Sequence, residues 1–514
     1  MSPIRPTPSR APSIGRETAA VLVAAFALLL ILRGAVLFDP PYWDALLGVF
    51  PQADWQARNG FDPLRLLREE PRYIDGGACV YPFSVVPPFV ALLQRASLDA
   101  PSRFAILHLL TFACTAIACG ALFRLARPYG RSVAWLATAA FLAQPGTQAL
   151  ACQIGLEMPL VASAACGVTA LAERRWGASF IASTAALLVK PTGIVVAVTA
   201  LAFFIARVVA PRRAGTHAPR ERSWALAHAG LGLLFVAEIA LLHAFEREPA
   251  GAGLFGGFVL LFTKRLLIVP EFALSLAALV VALIIAWARR DRAAPIPLAI
   301  LSPALFLVAY LGLLAQWENV LPRYFVAAYP AVFALIAAAL VRFAPRGGAA
   351  PVLGAIALFG LLGARGQFQP DRGGPFALPG ESTPLAANDG WLLERSLRFR
   401  DGLALDREIA RFASSREGTV FVAPWPIQHA LVEPSFGYVD RPVPCASAET
   451  SVAWSRIEQP TLAGLRPTDR EVLWILTPND FIGDASKPRV GDIVVARFAV
   501  GAQRAIVVRR ASFP

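Results

Sequence analysis

Residues 18–37, TAAVLVAAFALLLILRGAVL, run directly into residues 38–62, FDPPYWDALLGVFPQADWQARNGFD. The first stretch is apolar over roughly the twenty residues that a helix needs to cross ~30 Å of hydrocarbon. The second is polar, aromatic and acidic, and it leads towards another apolar run. A wet segment between two greasy ones is a surface held against a bilayer. The rest of the chain is arranged around that surface.

Further apolar runs lie at 104–123, 132–151, 157–172, 176–189, 191–209, 223–244, 268–287, 295–315, 324–341 and 350–364. Together they predict an α-helical polytopic membrane protein of about eleven transmembrane helices, with 157–172, 176–189 and 350–364 on the short side. The composition is 56% hydrophobic and 16% charged, where a soluble domain averages about a quarter charged. Arg5, Arg10 and Arg16 precede the first run as they would in a signal peptide. No good small-residue cleavage site follows, so that run is expected to remain as the first span.

The formal net charge is +13, and lysine occurs only at Lys190, Lys264 and Lys487. A basic stripe with interleaved aromatics would indicate nucleic acid, whereas arginines confined to the loops of one side indicate topology. With the N-terminus cytoplasmic, the inside loops carry Arg5, Arg10, Arg16, Arg124, Arg127, Arg131, Arg174, Arg175, Arg207, Arg212, Arg213, Arg220, Arg222, Arg289, Arg290, Arg292, Arg342 and Arg346. The short outside loops carry only Lys190, Arg247, Lys264, Arg265 and Arg323. That asymmetry accounts for most of the basicity, and no nucleic-acid partner is needed.

It also orients the chain in a cytoplasmic membrane. Residues 1–365 form the membrane domain, with the first outer loop at 38–103. A Gly/Pro-rich linker at 366–390 then leads to a soluble extracytoplasmic α/β domain at 391–514. In that last domain DGLALDREIARFASSREG has helical spacing and a glycine stop. TVFVAPW and EVLWILTP read as short strands, and DIVVARFAV with RAIVVRRA as a closing hairpin across GAQ. In the outer loop, YWDALLGVFPQADWQAR and DPLRLLREE have the spacing of short amphipathic helices lying on the membrane surface. The cysteines show no metal-binding spacing. Cys79 and Cys445 both fall outside, where a disulfide between loop and tail is conceivable.

The residues that could carry chemistry are those placed at membrane depth on the outer side. Asp44 stands just beyond the first span, where a carboxylate can take a proton from an attacking hydroxyl or bind a metal beside a phosphate. It also suits a solvated helix cap after Pro40 and Pro41. Glu157, in CQIGLEMPL, opens a span, and ionisable groups there are costly unless they line a wet cavity; an ordinarily hydrated interfacial glutamate is the plainer alternative. Lys190 splits a long apolar stretch at LVKPTG, where Pro191 and Gly193 force a turn. It reads as a ligand for an anionic head group or as a snorkelling lysine at a hairpin tip. Arg323 and Tyr324 begin a late span in PRYFVAAYP, and a guanidinium matches phosphate bidentately. Lys264 and Arg265 add outer charge. His243, at the outer end of its span, and Tyr42, Trp43 and Tyr81 are candidate pocket residues; the other histidines show no ligand spacing. The set is two carboxylates and several cations on one face, and it suits a phosphate-bearing lipid.

Those residues resemble a known group. Tyr42-Trp43-Asp44 after the first span, NGFDP, GGACVYPFSVVPP, the Glu157 region, LVKPTG and PRYFVAAYP are together similar to the GT-C class of membrane glycosyltransferases. The resemblance is to the clan of glycosyltransferase family 39, the protein O-mannosyltransferases and the lipid A aminoarabinose transferases. It implies a sugar donor carried on a polyprenyl phosphate, an outer-loop aspartate as base or acceptor-aligning group, and inversion at the anomeric carbon. On that basis Asp44 takes the aspartate role and Glu157 the second acidic position, while Lys190 and Arg323 neutralise the leaving phosphate. Two departures stand out: Ala45 follows Asp44 where many members have Glu, and Ser84-Val85-Val86 precede the paired prolines where a lysine is common.

The function expected is therefore a hexosyl- or pentosyltransferase in the membrane. It would pass a monosaccharide from a polyprenyl-phosphate donor to an extracytoplasmic lipid, glycan or protein. A divalent metal is compatible with that chemistry and not required by the sequence. The rival is a transporter or flippase for a polyprenyl-linked glycan, which internal symmetry and midplane broken helices would favour.

Overall fold

The computed structural model describes residues 11–43, 45–69, 82–209, 218–244, 269–288, 298–315, 322–343, 348–364, 397–424, 427–447, 471–477, 488–501 and 503–510. Asp44, Tyr81, Lys264, Arg265, Cys79 and the 366–390 linker lie outside them. The helical part begins with α1 (Ala11–Arg33) and three short helices, α2 (Phe50–Asn59), α3 (Pro63–Glu69) and α4 (Val86–Arg95). There follow α5 (Ala100–Ala126), α6 (Arg131–Ala143), α7 (Pro145–Ala151), α8 (Glu157–Ala172), α9 (Trp176–Val189), α10 (Ile194–Val209) and α11 (Ala218–Ala244). It ends with α12 (Pro270–Ala288), α13 (Leu298–Leu314), α14 (Tyr329–Phe343) and α15 (Ala349–Ala364).

Among the described residues four helices are long and apolar enough to cross a membrane: Ile14–Val36, Ala100–Tyr129, Glu221–Leu241 and Arg323–Val341. Seven further apolar helices are shorter, at 10–17 residues. The expected count of about eleven spans, three of them short, is thus met only in part, and one reason is visible at run 132–151. Pro145 has no N–H to give and forces the residue before it out of the helical region. Gln144 accordingly sits at ψ 136° and the run breaks into α6 and α7.

Burial orders the bundle. Arg323–Val341 is 89% buried and forms its axis, whereas Ile14–Val36 and Glu221–Leu241 are 22% and 17% buried and stand at the rim. The two ends of the bundle differ in chemistry. At one end the start of α1 meets the end of α5 through Arg127 Nε–Glu17 Oε2 at 2.7 Å and Arg131–Glu17 at 3.5 Å. Arg124 pairs with Glu173 nearby. The start of α5 is at the other end, capped by the Asp99 carboxylate accepting from Ser102 N–H at 3.0 Å.

The expected helices of the first outer loop appear as α2 and α3, preceded by a wide turn at Ala45–Val49. At the C-terminal side α16 (Phe399–Ser414) precedes β1 (Val420–Ala423), α17 (Ile427–Val432), β2 (Cys445–Ser447), β3 (Val472–Leu476), β4 (Ile493–Val500) and β5 (Gln503–Arg509). They form one sheet in the order β2-β1-β3-β5-β4, parallel for β2-β1-β3 and antiparallel for β3-β5-β4. Side chains alternate across a strand. Phe421, Leu473, Ile475 and Val507 therefore join the core shared with α16, while Val422, Trp474, Leu476, Ile506 and Val508 pack together on the opposite face. Cys445 is a buried thiol in β2, and Cys79, its conceived disulfide partner, lies outside the described residues. The Cys445 side chain points into the packed sheet, and burial pushes its pKa up to about 12.

The α16 helix carries Asp406, whose carboxyl is raised to about 8 by burial. A carboxyl raised on folding contributes stability that is full below its unfolded pKa near 4 and is lost as pH climbs towards 8. Asp406→Asn is therefore expected to melt at a higher temperature than wild type at pH 8, with the difference vanishing near pH 4. Calorimetry at the two pH values checks this.

Candidate functional site

The site is built where three breaks in helical structure meet. Between α9 and α10 the chain turns through Lys190 and a short 3₁₀ turn, Pro191–Gly193. A Cβ on Gly193 would stand 2.0 Å from the Ala186 carbonyl oxygen, so only glycine lets the chain double back so closely. The segment before α4 braces the same corner: Ser84 Oγ donates to Val189 O at 2.8 Å and Val85 N–H to Leu188 O at 2.8 Å. The second break is Cys152–Leu156 before α8, and the third is the 3₁₀ turn Pro322–Ala328 before α14.

Lys190, Glu157 and Arg323 converge from these breaks. Lys190 Nζ lies 3.1 Å and Arg323 Nε 3.6 Å from the same oxygen, Glu157 Oε1. Lys190 and Arg323 are each 4% exposed. Tyr324 closes the group, with Lys190 Nζ 4.6 Å above its ring centroid and the Arg323 guanidinium 5.2 Å away. Arg323 Nη2 also approaches the Tyr324 hydroxyl at 3.4 Å. Tyr310 donates to the Tyr324 carbonyl at 2.7 Å and so fixes the backbone that carries Arg323. Glu157 opens α8, where the exposed N–H groups of the first turn favour a carboxylate.

Beside this group lies a small cavity lined by Tyr42, Ala45, Leu150, Gln153, Ile154, Gly155, Glu157, Met158 and Arg323. Gly155 keeps it open, because a Cβ there would come within 3.0 Å of Glu157 Oε2. Tyr42 and Ala45 flank Trp43 and Asp44 in the chain, and Ala45 N–H closes a turn on Tyr42 O at 3.2 Å. Trp43 holds φ at +49°, a left-handed backbone rare for a bulky residue, costing on the order of 1–3 kcal/mol.

The structure thus brings together Tyr42, Glu157, Lys190, Arg323 and Tyr324 from the residues picked out in the sequence. Trp43 is adjacent, its ring 6.2 Å from that of Tyr42. His243 falls in the last turn of α11, and its side chain lies outside the described residues, as do Asp44, Tyr81, Lys264 and Arg265. Lys190 and Arg323, expected as phosphate ligands on the outer side of the membrane, are buried on Glu157 in this structure. Tyr310, Gly155 and Gln153 were not foreseen. The signal that could have found Tyr310 was a phenol within an apolar run, and for the others a polar break, QIG, immediately before Glu157.

No family profile and no curated protein matches the chain. Among solved structures it resembles ArnT from Cupriavidus metallidurans in the apo state, at 17% identity over 96% of this chain and 99% of that one, with a TM-score of 0.49. It also resembles ArnT from the same organism bound to undecaprenyl phosphate, at 15% identity over 98% and 99% of the two chains, again with a TM-score of 0.49. A likeness of that size does not by itself assign an activity.

Glu157→Gln would leave the buried Lys190 and Arg323 charges without the carboxylate they share. Breaking a buried pair from one side costs about 3–5 kcal/mol. The variant is expected to melt well below wild type, whereas Glu157→Asp keeps most of the stability; thermal denaturation of the purified proteins measures both.

Proposed function

We propose that the chain is a membrane glycosyltransferase of GT-C type. It would take a monosaccharide from a polyprenyl-phosphate donor and pass it to an extracytoplasmic acceptor, a lipid, glycan or protein. The observation that carries this reading is the pair of buried cations, Lys190 and Arg323, gathered on Glu157 at the wall of a cavity in an apolar bundle. A cation pair inside such a bundle is costly and is kept where it serves an anionic ligand. The cavity is bounded by the aromatic loop as well as by the bundle, which suits a ligand with an apolar tail and a polar head.

Each group then has a chemical task. Lys190 and Arg323 bind the donor phosphate, and their charge is worth more as the glycosidic bond breaks and negative charge grows on the leaving oxygen. Glu157 holds the two cations at fixed positions before the donor arrives, so little reorganisation is needed during reaction. Asp44, between the cavity-lining Tyr42 and Ala45, accepts the proton of the acceptor hydroxyl as its oxygen attacks the anomeric carbon from the face opposite the phosphate. Attack from that face inverts the anomeric centre. Tyr42 offers a ring on which the sugar can stack. In this reading the short apolar helices cross the bilayer with the four long ones. The N-terminus is cytoplasmic, and the 391–514 α/β domain, after its 366–390 linker, stands outside in the acceptor's compartment. Lys264, Arg265, Tyr81 and His243 remain candidates for the outer rim of the same site.

The test is sugar transfer by purified protein from a labelled polyprenyl-phosphate donor. Asp44→Asn is expected to abolish turnover while leaving the melting temperature unchanged. Lys190→Ala and Arg323→Ala are expected to raise donor KM and lower kcat/KM by about 100-fold or more. Near-normal transfer by Asp44→Asn would remove it from the reaction. A flippase would instead move the lipid-linked glycan across liposomes without bond cleavage, and retained movement in Asp44→Asn would favour that rival.

A further inference from the structure

The carboxylate nearest the site in sequence other than Asp44 is Asp39, and the proposed reaction has no use for it. It is nonetheless buried, its side chain 8% exposed, with two arginines of α16 upon it: Arg407 Nη1 at 2.9 Å from Oδ1 and Arg400 Nε at 3.7 Å from Oδ2. Arg407 also donates to the Phe38 carbonyl at 3.3 Å. Two residues on, the Tyr438 hydroxyl donates to Pro41 O at 2.8 Å, and the Tyr42 ring packs 5.9 Å from Phe399 at the start of α16. From the bundle side His108 Nε2 lies 3.0 Å from the Asp39 carbonyl oxygen.

These contacts all fall on residues 38–42, immediately ahead of the strained Trp43 and of Asp44. A bulky residue stays in the left-handed region only when its surroundings over-determine it. Among the described residues, the contacts that hold the chain just ahead of Trp43 come mostly from the C-terminal α/β domain, and the closest ion pair among them is Arg407 on Asp39. We propose that Asp39 is a positioning residue: clamped by Arg400 and Arg407, it fixes the Tyr42–Ala45 turn against the cavity, so the C-terminal domain completes the active site from outside the bundle. The inference rests on the transferase reading for its kinetic consequence, and on geometry alone for the clamp.

A surface ion pair contributes little, but this one is half-buried and holds a turn whose displacement by ~1 Å can cost about 100-fold in rate. Arg407→Gln and Asp39→Asn in the full-length protein are each expected to lower kcat about 10-fold to 100-fold, with donor KM within ~2-fold of wild type. The double variant should be no slower than the slower single one, and Arg407→Lys should retain most of the rate. Arg407 is partly exposed, so Arg407→Gln reports even where Asp39→Asn folds poorly. Amide hydrogen exchange at residues 42–46 should quicken in both single variants and stay slow in Arg407→Lys.

Unchanged kcat in Arg407→Gln overturns the proposal. So do a slowed variant whose 42–46 exchange matches wild type, and single losses that multiply in the double. If wild-type protein transfers no sugar from any polyprenyl-phosphate donor, it is the transferase reading that fails. Exchange then decides the clamp alone, with faster exchange in Arg407→Gln upholding it and unchanged exchange refuting it.

Discussion

Everything near the cavity depends on one enclosed carboxylate. Glu157 brings an ammonium to 3.1 Å and a guanidinium to 3.6 Å from a single oxygen, inside a bundle whose other groups are mostly hydrocarbon. Taking three charges out of water is expensive, and the cost is offset only if the opposite charges stay in close contact. That requirement reaches outward through the fold. Gly193 makes the turn that brings Lys190 in, Tyr310 holds the backbone of Tyr324, and Gly155 leaves room for the carboxylate. Each of these is a backbone or packing decision made for an electrostatic reason.

A second constraint works from the opposite side. The polar loop after α1 carries a left-handed Trp43 and would not keep that shape unaided. Asp39 and Pro41 give the C-terminal domain a pair of handles on it, one ionic and one through a backbone carbonyl. The Phe436 ring adds an apolar contact, set edge-on against Phe50 at 5.8 Å. Gly437 follows with φ +79°, where a Cβ would meet the Phe104 ring at 2.5 Å, so sheet domain and bundle are docked backbone against ring. Of the loop residues over which they meet, Tyr42 lines the cavity.

How much of this could be read from the chain depended on the range of the signal. The helix over DGLALDREIARFASSREG and the strands at VFVA, VLWIL and the closing hairpin rest on local periodicity, and they are present. The three-residue β2 and the six-residue α17 have too few residues to show a period, and the sequence reading contains neither. Run 132–151 looked continuous by hydropathy, which is blind to what Pro145 does to Gln144. Lys190 and Arg323 were picked for their charge, yet their convergence on Glu157 spans 33 and 166 residues of chain and follows from tertiary packing alone. Asp39 was overlooked for a related reason. Its partners lie more than 360 residues away, and their seven-residue spacing on one face of α16 means something only once that face is seen against the loop.

The axial position of Arg323–Val341 has a further consequence. A span enclosed by other helices is never solvated by lipid tails, so its sequence answers to neighbours' shapes and not to the bilayer. Its run AAYPAVFALIAAAL is rich in alanine, the residue that lets helices approach closely where hydrocarbon gives no drive to associate. Evolutionary drift in this protein should therefore run in two regimes. The rim helices can exchange one large apolar residue for another freely, while the axis is closed to any gain in volume.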